Sequence, residues 1–408
     1  MKMERVVVVG ASLAGLRAAE TLRTEGFDGE VIVVGAEVHR PYDRPPLSKK
    51  LLAGEWEPER IHLRQPDSFD DLDVEWRLGV VAAGLEADSG VLHLTDGTDV
   101  EFDGCIIATG ASCRRLPDQG RHAHVHELRT LDDSLRLRAE LAEGNHHVVV
   151  IGAGFIGLEV AATAKQLGNE VTVLEGAPAP LIRGLGAEMG TAIGAMHVAR
   201  GVDVRCDVDV ERLDEAGVLL SDGELVESDV VVVGIGVVPN TAWLDGSGLE
   251  IRDGVVCDET LNARRADGEL RPGVYAAGDV LRWPNALFGE EMRVEHWTNA
   301  AEQGAAAAKN LLAVSRGEEP VPYAPVPFFW SDQFDVRVQF LGRASADDEV
   351  VVATGAVEDD KFLALYRNGD RLHGALGVNA PRWVMKMRGT LAAGASWDEA
   401  LEVAATFE

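Results

Sequence analysis

The chain has 408 residues, 46% of them hydrophobic, with 38 Lys and Arg against 68 Asp and Glu and a formal net charge of −30. That length predicts two to three domains of about 150 residues each. A chain this acidic repels nucleic acid and anionic membrane, and it repels an acidic protein partner at long range as well. No run approaches the ~18 consecutive apolar residues of a membrane span. Met1 to Arg5 lead straight into a valine strand too short to serve as a secretory signal, so a cytoplasmic enzyme is expected. Cys105, Cys113, Cys206 and Cys257 are widely spread and form no CxxC or CxxxxC pair. Isolated reduced thiols are therefore expected, with no close-spaced redox disulfide and no zinc or iron–sulfur site.

In chain order, the pattern predicts a strand at 5–10, a helix at about 13–25 and a strand at 30–35, a βαβ unit. Pro41 to Lys50, PYDRPPLSKK, holds three prolines and reads as an ordered loop leading into a short helix. Strand-like alternation covers 74–94, with a hairpin turn at Asp96-Gly97. GCIIATG at 104–110 reads as a buried strand ending in a glycine turn. A second βαβ unit starts at 147, and its second strand, 170–174, ends at Glu175. Further β elements lie near 203–220 and at 230–240. GVYAAGD at 273–279 has no glycine fingerprint of its own and completes the first domain, so the second is inserted into it. A helix spans about 297–314. Pro320, Pro322, Pro325 and Pro327 mark a linker before short strands and a terminal helix near 397–406.

Two glycine loops carry the chemistry. VVVIGAGFIG, Val148 to Gly157, is a complete G-x-G-x-x-G on Gly152, Gly154 and Gly157. It sits between a valine strand and an alanine-rich helix, where helix N–H groups and dipole receive a pyrophosphate. Glu175, about 20 residues on, is placed to take both ribose hydroxyls and to repel a 2′-phosphate, which favours NADH. VVVVGASLAG, Val6 to Gly15, departs from the pattern: Ser12 stands at the middle position between Gly10 and Gly15, and the acid, Glu37, comes two residues after the strand-ending Gly35. Two sites predict two dinucleotides, read as a flavin and a nicotinamide. Taken singly, other residues have plainer readings. Asp279 reads as a turn cap, and Lys49 and Arg44 as solvated loop charges. Trp297 and Trp330 read as core aromatics, and Glu159 as a first-turn acid facing the helix dipole.

Together these motifs resemble the FAD-dependent NADH:ferredoxin reductases of bacterial oxygenase systems, the putidaredoxin reductase and biphenyl dioxygenase ferredoxin reductase type. PYDRPPLSK (41–49), IATG (107–110), IGAGFIGLEVAA (151–162), GIGVVPN (234–240), AAGD (276–279), EHWTNA (295–300) and FFWSDQ (328–333) carry the resemblance, which covers essentially the whole chain. It implies an α/β fold with two Rossmann-like, glutathione-reductase-like dinucleotide-binding domains and a small α+β C-terminal domain. The implied boundaries are 1–113 with 245–320 for FAD, 114–244 for NAD and 325–408 for the C-terminal domain. The implied FAD contacts are Gly10, Ser12, Ala14 and Gly15 at the pyrophosphate and Ala36 and Glu37 at the adenosine. Arg44, Lys49, Val81, Thr109, Arg129, Asp279 and Trp297 complete them. The implied NADH contacts are Gly152, Gly154, Ile156, Gly157, Glu159, Glu175 and Gly236.

Lys49 paired with Glu159, together with Trp297 and Trp330, would carry catalysis. The implied partner is a [2Fe-2S] ferredoxin feeding a cytochrome P450 or Rieske-type oxygenase. Its expected docking site lies near Arg382, Lys386 and Trp330, in a basic stretch from Lys361 to Arg388. The cysteine that disulfide-reducing cousins place in or near the PYDRPPLSK loop is missing here. A rubredoxin reductase, an NADH oxidase and a redox-sensing protein resembling apoptosis-inducing factor stay open as alternatives.

Overall fold

The computed structural model describes residues 3–407; Met1, Lys2 and Glu408 lie outside them. The chain forms two compact units, each assembled from three separate stretches. The first comprises Met1–Asp43, His62–Ser112 and Val238–Pro327; the second comprises Arg44–Ile61, Cys113–Val237 and Phe328–Glu408.

The first unit is built on a six-stranded sheet in the order Asn262–Arg264, Leu270–Ala276, Gly104–Ile107, Arg5–Val9, Glu30–Gly35, Glu75–Leu78. Every neighbouring pair is parallel except the first, Asn262–Arg264 with Leu270–Ala276. Val6, Val7 and Val8 are fully buried, as a parallel strand covered on both faces requires. Strand Leu270–Ala276, far along the chain, pairs with Gly104–Ile107, so the expected return to the first sheet after the second nucleotide unit is present. Helices Leu13–Thr24 and Trp297–Ser315 pack on each other closely: a Cβ on Gly304 would lie 2.2 Å from the Ala14 carbonyl oxygen. The Asp96-Gly97 turn joins the antiparallel strands Val91–Leu94 and Asp99–Glu101.

The second unit contains an all-parallel five-stranded sheet in the order Asp203–Arg205, Glu170–Leu174, His147–Ile151, Val230–Val233, Val125–His126. Helix Phe155–Gln166 is its crossover. The unit also contains an antiparallel five-stranded sheet running Phe328–Gln333, Val336–Gly342, Arg371–Val378, Lys361–Asn368, Glu349–Ala356. Helix Pro381–Ala392 packs on that sheet. Helix Trp397–Ala404 opens on a capping box formed by Ser396 and Glu399.

Besides the five-residue helix Pro66–Asp70, three longer helices among the described residues go unmarked by the sequence pattern: Leu131–Leu141, Ile182–Ala199 and Pro381–Ala392. The second carries Gly184, Gly186, Gly190 and Gly194, which punctuate a helix on propensity alone. Tertiary contact explains one of them, since a Cβ on Gly190 would meet the Pro180 carbonyl oxygen at 2.0 Å. Gly186, at φ 76°, kinks the helix. Among the described residues, no helix is long and apolar enough to cross a membrane.

Glycines of the second loop separate into two kinds. A Cβ on Gly157 would sit 2.1 Å from the Gly152 carbonyl oxygen, whereas one on Gly154 meets no atom within 4 Å, and Gly154 has an ordinary φ of −75°. Gly157→Ala should therefore lose stability, by about 1–3 kcal/mol or more, although alanine is the better helix former. Gly154→Ala should stay within about 0.5 kcal/mol of wild type. Denaturation midpoints of the two variants test this, and equal midpoints would refute it.

Candidate functional site

The two glycine loops share one geometry. In the first, Gly10 takes φ 125°, and a Cβ there would lie 2.0 Å from the Ala108 carbonyl oxygen; a Cβ on Gly15 would lie 1.8 Å from the Gly10 carbonyl oxygen. In the second, Gly152 takes φ 100° with its Cβ position 2.5 Å from the Gly234 carbonyl oxygen. The outer glycines are demanded by the chain's own packing. The middle position, Ser12 or Gly154, is the helix N-cap in each loop. Neither helix has an acidic residue in its first turn, so the positive helix end is left for an external anion.

An acid reaches the second loop. Glu175 accepts hydrogen bonds from the Ala153 N–H at 2.7 Å through Oε2 and from the Ala177 N–H at 2.9 Å through Oε1. The carboxylate is thereby held against the loop, with lone pairs to spare for two hydroxyls. In the first unit, Glu37 accepts from the Tyr42 hydroxyl at 2.5 Å. A Cβ on Gly35 would lie 2.5 Å from the Ala11 Cβ, which explains why glycine ends that strand and the acid follows later.

The rest of the first unit's candidates gather near strand ends. Thr109 donates to the Asn240 carbonyl oxygen at 2.9 Å, and Asp279 lies in the Gly278–Val280 turn. Trp297, first residue of its helix, donates from Nε1 to Asp43 Oδ1 at 2.6 Å. Ala36 is exposed, as is Val81. Gln303, which sequence reasoning missed, is fully buried; its Oε1 accepts from the Gly278 N–H at 2.9 Å while its Nε2 has no protein partner among the described residues. A buried amide donor beside Asp279 and two glycine-shaped cradles at helix N-termini without a first-turn acid are what a pair of dinucleotides would need, so these residues fit the cofactors that the motifs predict.

In the second unit, Lys49 meets Glu159 at 2.5 Å, and Glu159 is only 3% exposed. Glu159 is the fifth residue of its helix, in the second turn, so helix-dipole compensation does not account for it. Its partners do. Oε2 accepts from Ser48 Oγ at 2.5 Å as well as from Lys49, and Oε1 accepts from Ser331 Oγ at 2.6 Å. One stripe of the Phe155–Gln166 helix makes these contacts: Phe155 stacks edge-on against Phe329, with ring centroids 4.7 Å apart, Glu159 meets Ser331, and Thr163 donates to the Ser48 carbonyl oxygen at 2.8 Å. Arg44 donates to the Arg129 carbonyl oxygen. Ile156 is exposed, and Gly236 takes φ 99° with open space around it. Trp330 points to the opposite side of its strand from Ser331 and stacks on Phe328.

The thiols offer no relay. Burial pushes the Cys105 thiol up to about 12 and raises Cys257, Cys113 and Cys206, and all four cysteines are free. Protonated thiols are poor nucleophiles.

Comparison with known proteins agrees with this geometry. Residues 4–304 match the family model described as pyridine nucleotide-disulphide oxidoreductase, and residues 328–407 match the reductase C-terminal model. The chain is 37% identical over 393 residues to rhodocoxin reductase of Rhodococcus erythropolis, covering 95% of this chain and 89% of that protein. It is 36% identical over 406 residues to the ferredoxin–NAD(+) reductase component of the anthranilate 1,2-dioxygenase system of Burkholderia cepacia, covering 98% and 96%. The solved covalent putidaredoxin reductase–putidaredoxin complex contains a chain that superposes with a TM-score of 0.89 at 31% identity, over 96% of this chain and 93% of that one.

The site carries a pH signature. His197 is fully buried and donates from Nε2 to Gln333 Oε1 at 2.8 Å. Desolvation, only partly opposed by that hydrogen bond, pushes its pKa down from 6.5 to about 4. Between those values the unfolded chain binds the proton and the folded chain does not, so stability falls as pH drops from about 6.5 towards 4. The full excursion is worth about 3 kcal/mol. His197→Gln should flatten the stability–pH slope over that interval by roughly one proton, measured by denaturant titration at stepped pH. An unchanged slope would place the proton uptake on other groups.

Proposed function

This chain belongs to the pyridine nucleotide-disulphide oxidoreductase family, and we propose that it is an FAD-dependent NADH:ferredoxin reductase passing electrons to a small [2Fe-2S] ferredoxin that supplies a P450 or Rieske-type oxygenase. The observation that carries this reading is the pair of glycine cradles at helix N-termini without a first-turn acid, one of them furnished with a ribose-directed acid. Gly10, Ser12, Ala14 and Gly15 hold the FAD pyrophosphate, and Ala36 and Glu37 meet its adenosine. Arg44, Lys49, Val81, Thr109, Arg129, Asp279 and Trp297 line the remainder. Gly152, Gly154, Ile156, Gly157, Glu159 and Gly236 receive NADH, and Glu175 takes the ribose hydroxyls and rejects a 2′-phosphate. The corresponding division is 1–113 with 245–320 for FAD, 114–244 for NADH and 325–408 for the C-terminal domain. NADH and unpaired thiols both fit a cytoplasmic setting.

Bound FAD supplies the conversion of one two-electron hydride donor into two single-electron deliveries. The chain's own part is positional. The glycine cradles fix both pyrophosphates, and holding two reactants in register accounts for much of such a rate enhancement. Lys49, locked by Glu159 at 2.5 Å, by the Pro45 carbonyl oxygen at 3.0 Å and by Ser48 Oγ at 3.2 Å, presents a fixed positive charge. No side chain is required as a general base. The decisive experiment measures NADH-driven cytochrome c reduction with and without an added [2Fe-2S] ferredoxin. We expect strict dependence on the ferredoxin and slow oxygen consumption in its absence; rapid oxygen consumption without it would establish an oxidase instead.

Docking must overcome the net charge of −30. Much of the basic C-terminal stretch is already engaged: Arg367 pairs with Glu349 at 3.3 Å and lies over Trp397, and Lys361 lies over Trp383. Helix Pro381–Ala392 exposes Arg382, Met385 and Lys386 along one stripe; Lys386 lies over the Phe407 ring, 4.9 Å from its centroid, and keeps its charged end at the surface, so two cations flank an apolar centre that suits an acidic partner. Arg382→Glu or Lys386→Glu should raise KM for ferredoxin about ten-fold and weaken its salt dependence, with ferricyanide reduction unchanged. Equal losses with both acceptors, or none with either, would move the docking site elsewhere.

A further inference from the structure

Ser331, Gln333 and His197 are buried polar residues that the proposed chemistry does not use. Ser331 and Gln333 alternate on the inward face of strand Phe328–Gln333, each 0% exposed, and His197 comes from helix Ile182–Ala199. Their hydrogen bonds run in one direction. His197 Nε2 donates to Gln333 Oε1 at 2.8 Å, Gln333 Nε2 donates to Ser331 Oγ at 3.0 Å, and Ser331 Oγ donates to Glu159 Oε1 at 2.6 Å.

The direction is forced by donor and acceptor chemistry. An amide oxygen only accepts, so His197 carries its proton on Nε2. That contact turns the amide N–H₂ of Gln333 towards Ser331, which fills a lone pair of the serine hydroxyl and leaves its hydrogen for Glu159. With the amide reversed, Ser331 would donate to Gln333, and Glu159 Oε1 would lose its donor while buried. His197 suits the task because burial keeps it neutral.

We infer that His197, Gln333 and Ser331 are positioning residues for Lys49, acting through Glu159. Ser331 holds one carboxylate oxygen so that the other faces Lys49 and Ser48, and the ammonium is fixed in turn. This rests on the reading that Lys49 flanks the flavin. A cluster serving stability alone would tie the strand to the helix and leave the bound flavin unaffected.

The test uses the full FAD-loaded chain. Ser331→Ala and Gln333→Met should each slow the limiting rate of flavin reduction by NADH about ten-fold, with the Kd for NADH within two-fold. They should also move the flavin midpoint potential down by about 30 mV, the two-electron equivalent of a ten-fold change in equilibrium. Ser331→Thr, which keeps the hydroxyl, should restore both. In a Lys49→Met background, Ser331→Ala should add nothing further, since coupled residues are not additive. Independently of the flavin, nitrogen-15 histidine spectra should show His197 neutral with its proton on Nε2, an assignment lost in Gln333→Met. Wild-type potential and rate in Ser331→Ala and Gln333→Met, beside a shifted Lys49→Met, would overturn the relay alone. A wild-type potential in Lys49→Met would overturn the flavin-side role of Lys49 and the relay with it.

Discussion

A carboxylate 3% exposed at Glu159 is the constraint around which the second unit is arranged. Removing an ion from water costs several kcal/mol even after relaxation, and attraction to one counter-ion recovers this only if the remaining lone pairs are satisfied. Glu159 meets that condition by drawing donors from separate stretches: Ser48 and Lys49 from the proline-rich loop, Ser331 from the first strand of the antiparallel sheet. These bonds, with those of Ser134 to Leu47 and Arg138 to Glu57, join Arg44–Ile61, early in the chain, to the rest of the second unit. It also explains serine and glutamine on a strand face that would otherwise be valine or leucine. A well-packed apolar cluster of the same volume would be as stable or more so. The polar solution therefore points to a use for a fixed cation.

The glycine loops divide along a similar line. Gly10, Gly15, Gly152 and Gly157 are required by the fold, because each Cβ would strike a backbone oxygen within 2.5 Å. Gly154 is not, since its neighbourhood is open. Ser12 at the matching place in the first loop makes the same point, because a Cβ is accommodated there. The middle position answers to whatever lies outside the loop, and the outer positions answer to the chain itself. A motif with one departure at the middle and none at the ends keeps its strand–turn–helix geometry intact.

Much of this was legible in the sequence, because valine runs, glycine spacing and strand-ending acids are local signals. The strands Glu30–Gly35 and Glu170–Leu174 and the helix from Trp297 lie where the pattern puts them. The membership of each sheet was legible only in part. The return of Leu270–Ala276 to the first sheet follows from its buried-strand pattern, but the long strands of the antiparallel sheet read as short ones. Helix Ile182–Ala199 was hidden by its glycines, of which tertiary packing demands Gly190 and the kink uses Gly186. The Ser331–Gln333–His197 chain was illegible for a different reason. Its members lie on elements remote in sequence, and a lone histidine or an alternating serine and glutamine has no periodicity to announce it. In FFWSDQ the sequence singles out Trp330, while on the inward face of the same strand Ser331 makes the contact to Glu159.

The family is named for disulfide chemistry, yet among the described residues all four cysteines are free. A thiolate relay needs a cysteine of lowered pKa beside a partner sulfur. Here burial raises all four thiols. The proline-rich loop presents Ser48 and Lys49 to Glu159. A cation locked to a carboxylate transfers no electrons; it stabilises negative charge where it stands. The loop's contribution is electrostatic, and the raised, unpaired thiols offer electrons no route through sulfur. What remains is direct exit from the cofactor to an acceptor. That route requires only a docking surface, and it leaves the choice of acceptor to surface charge rather than to sulfur chemistry.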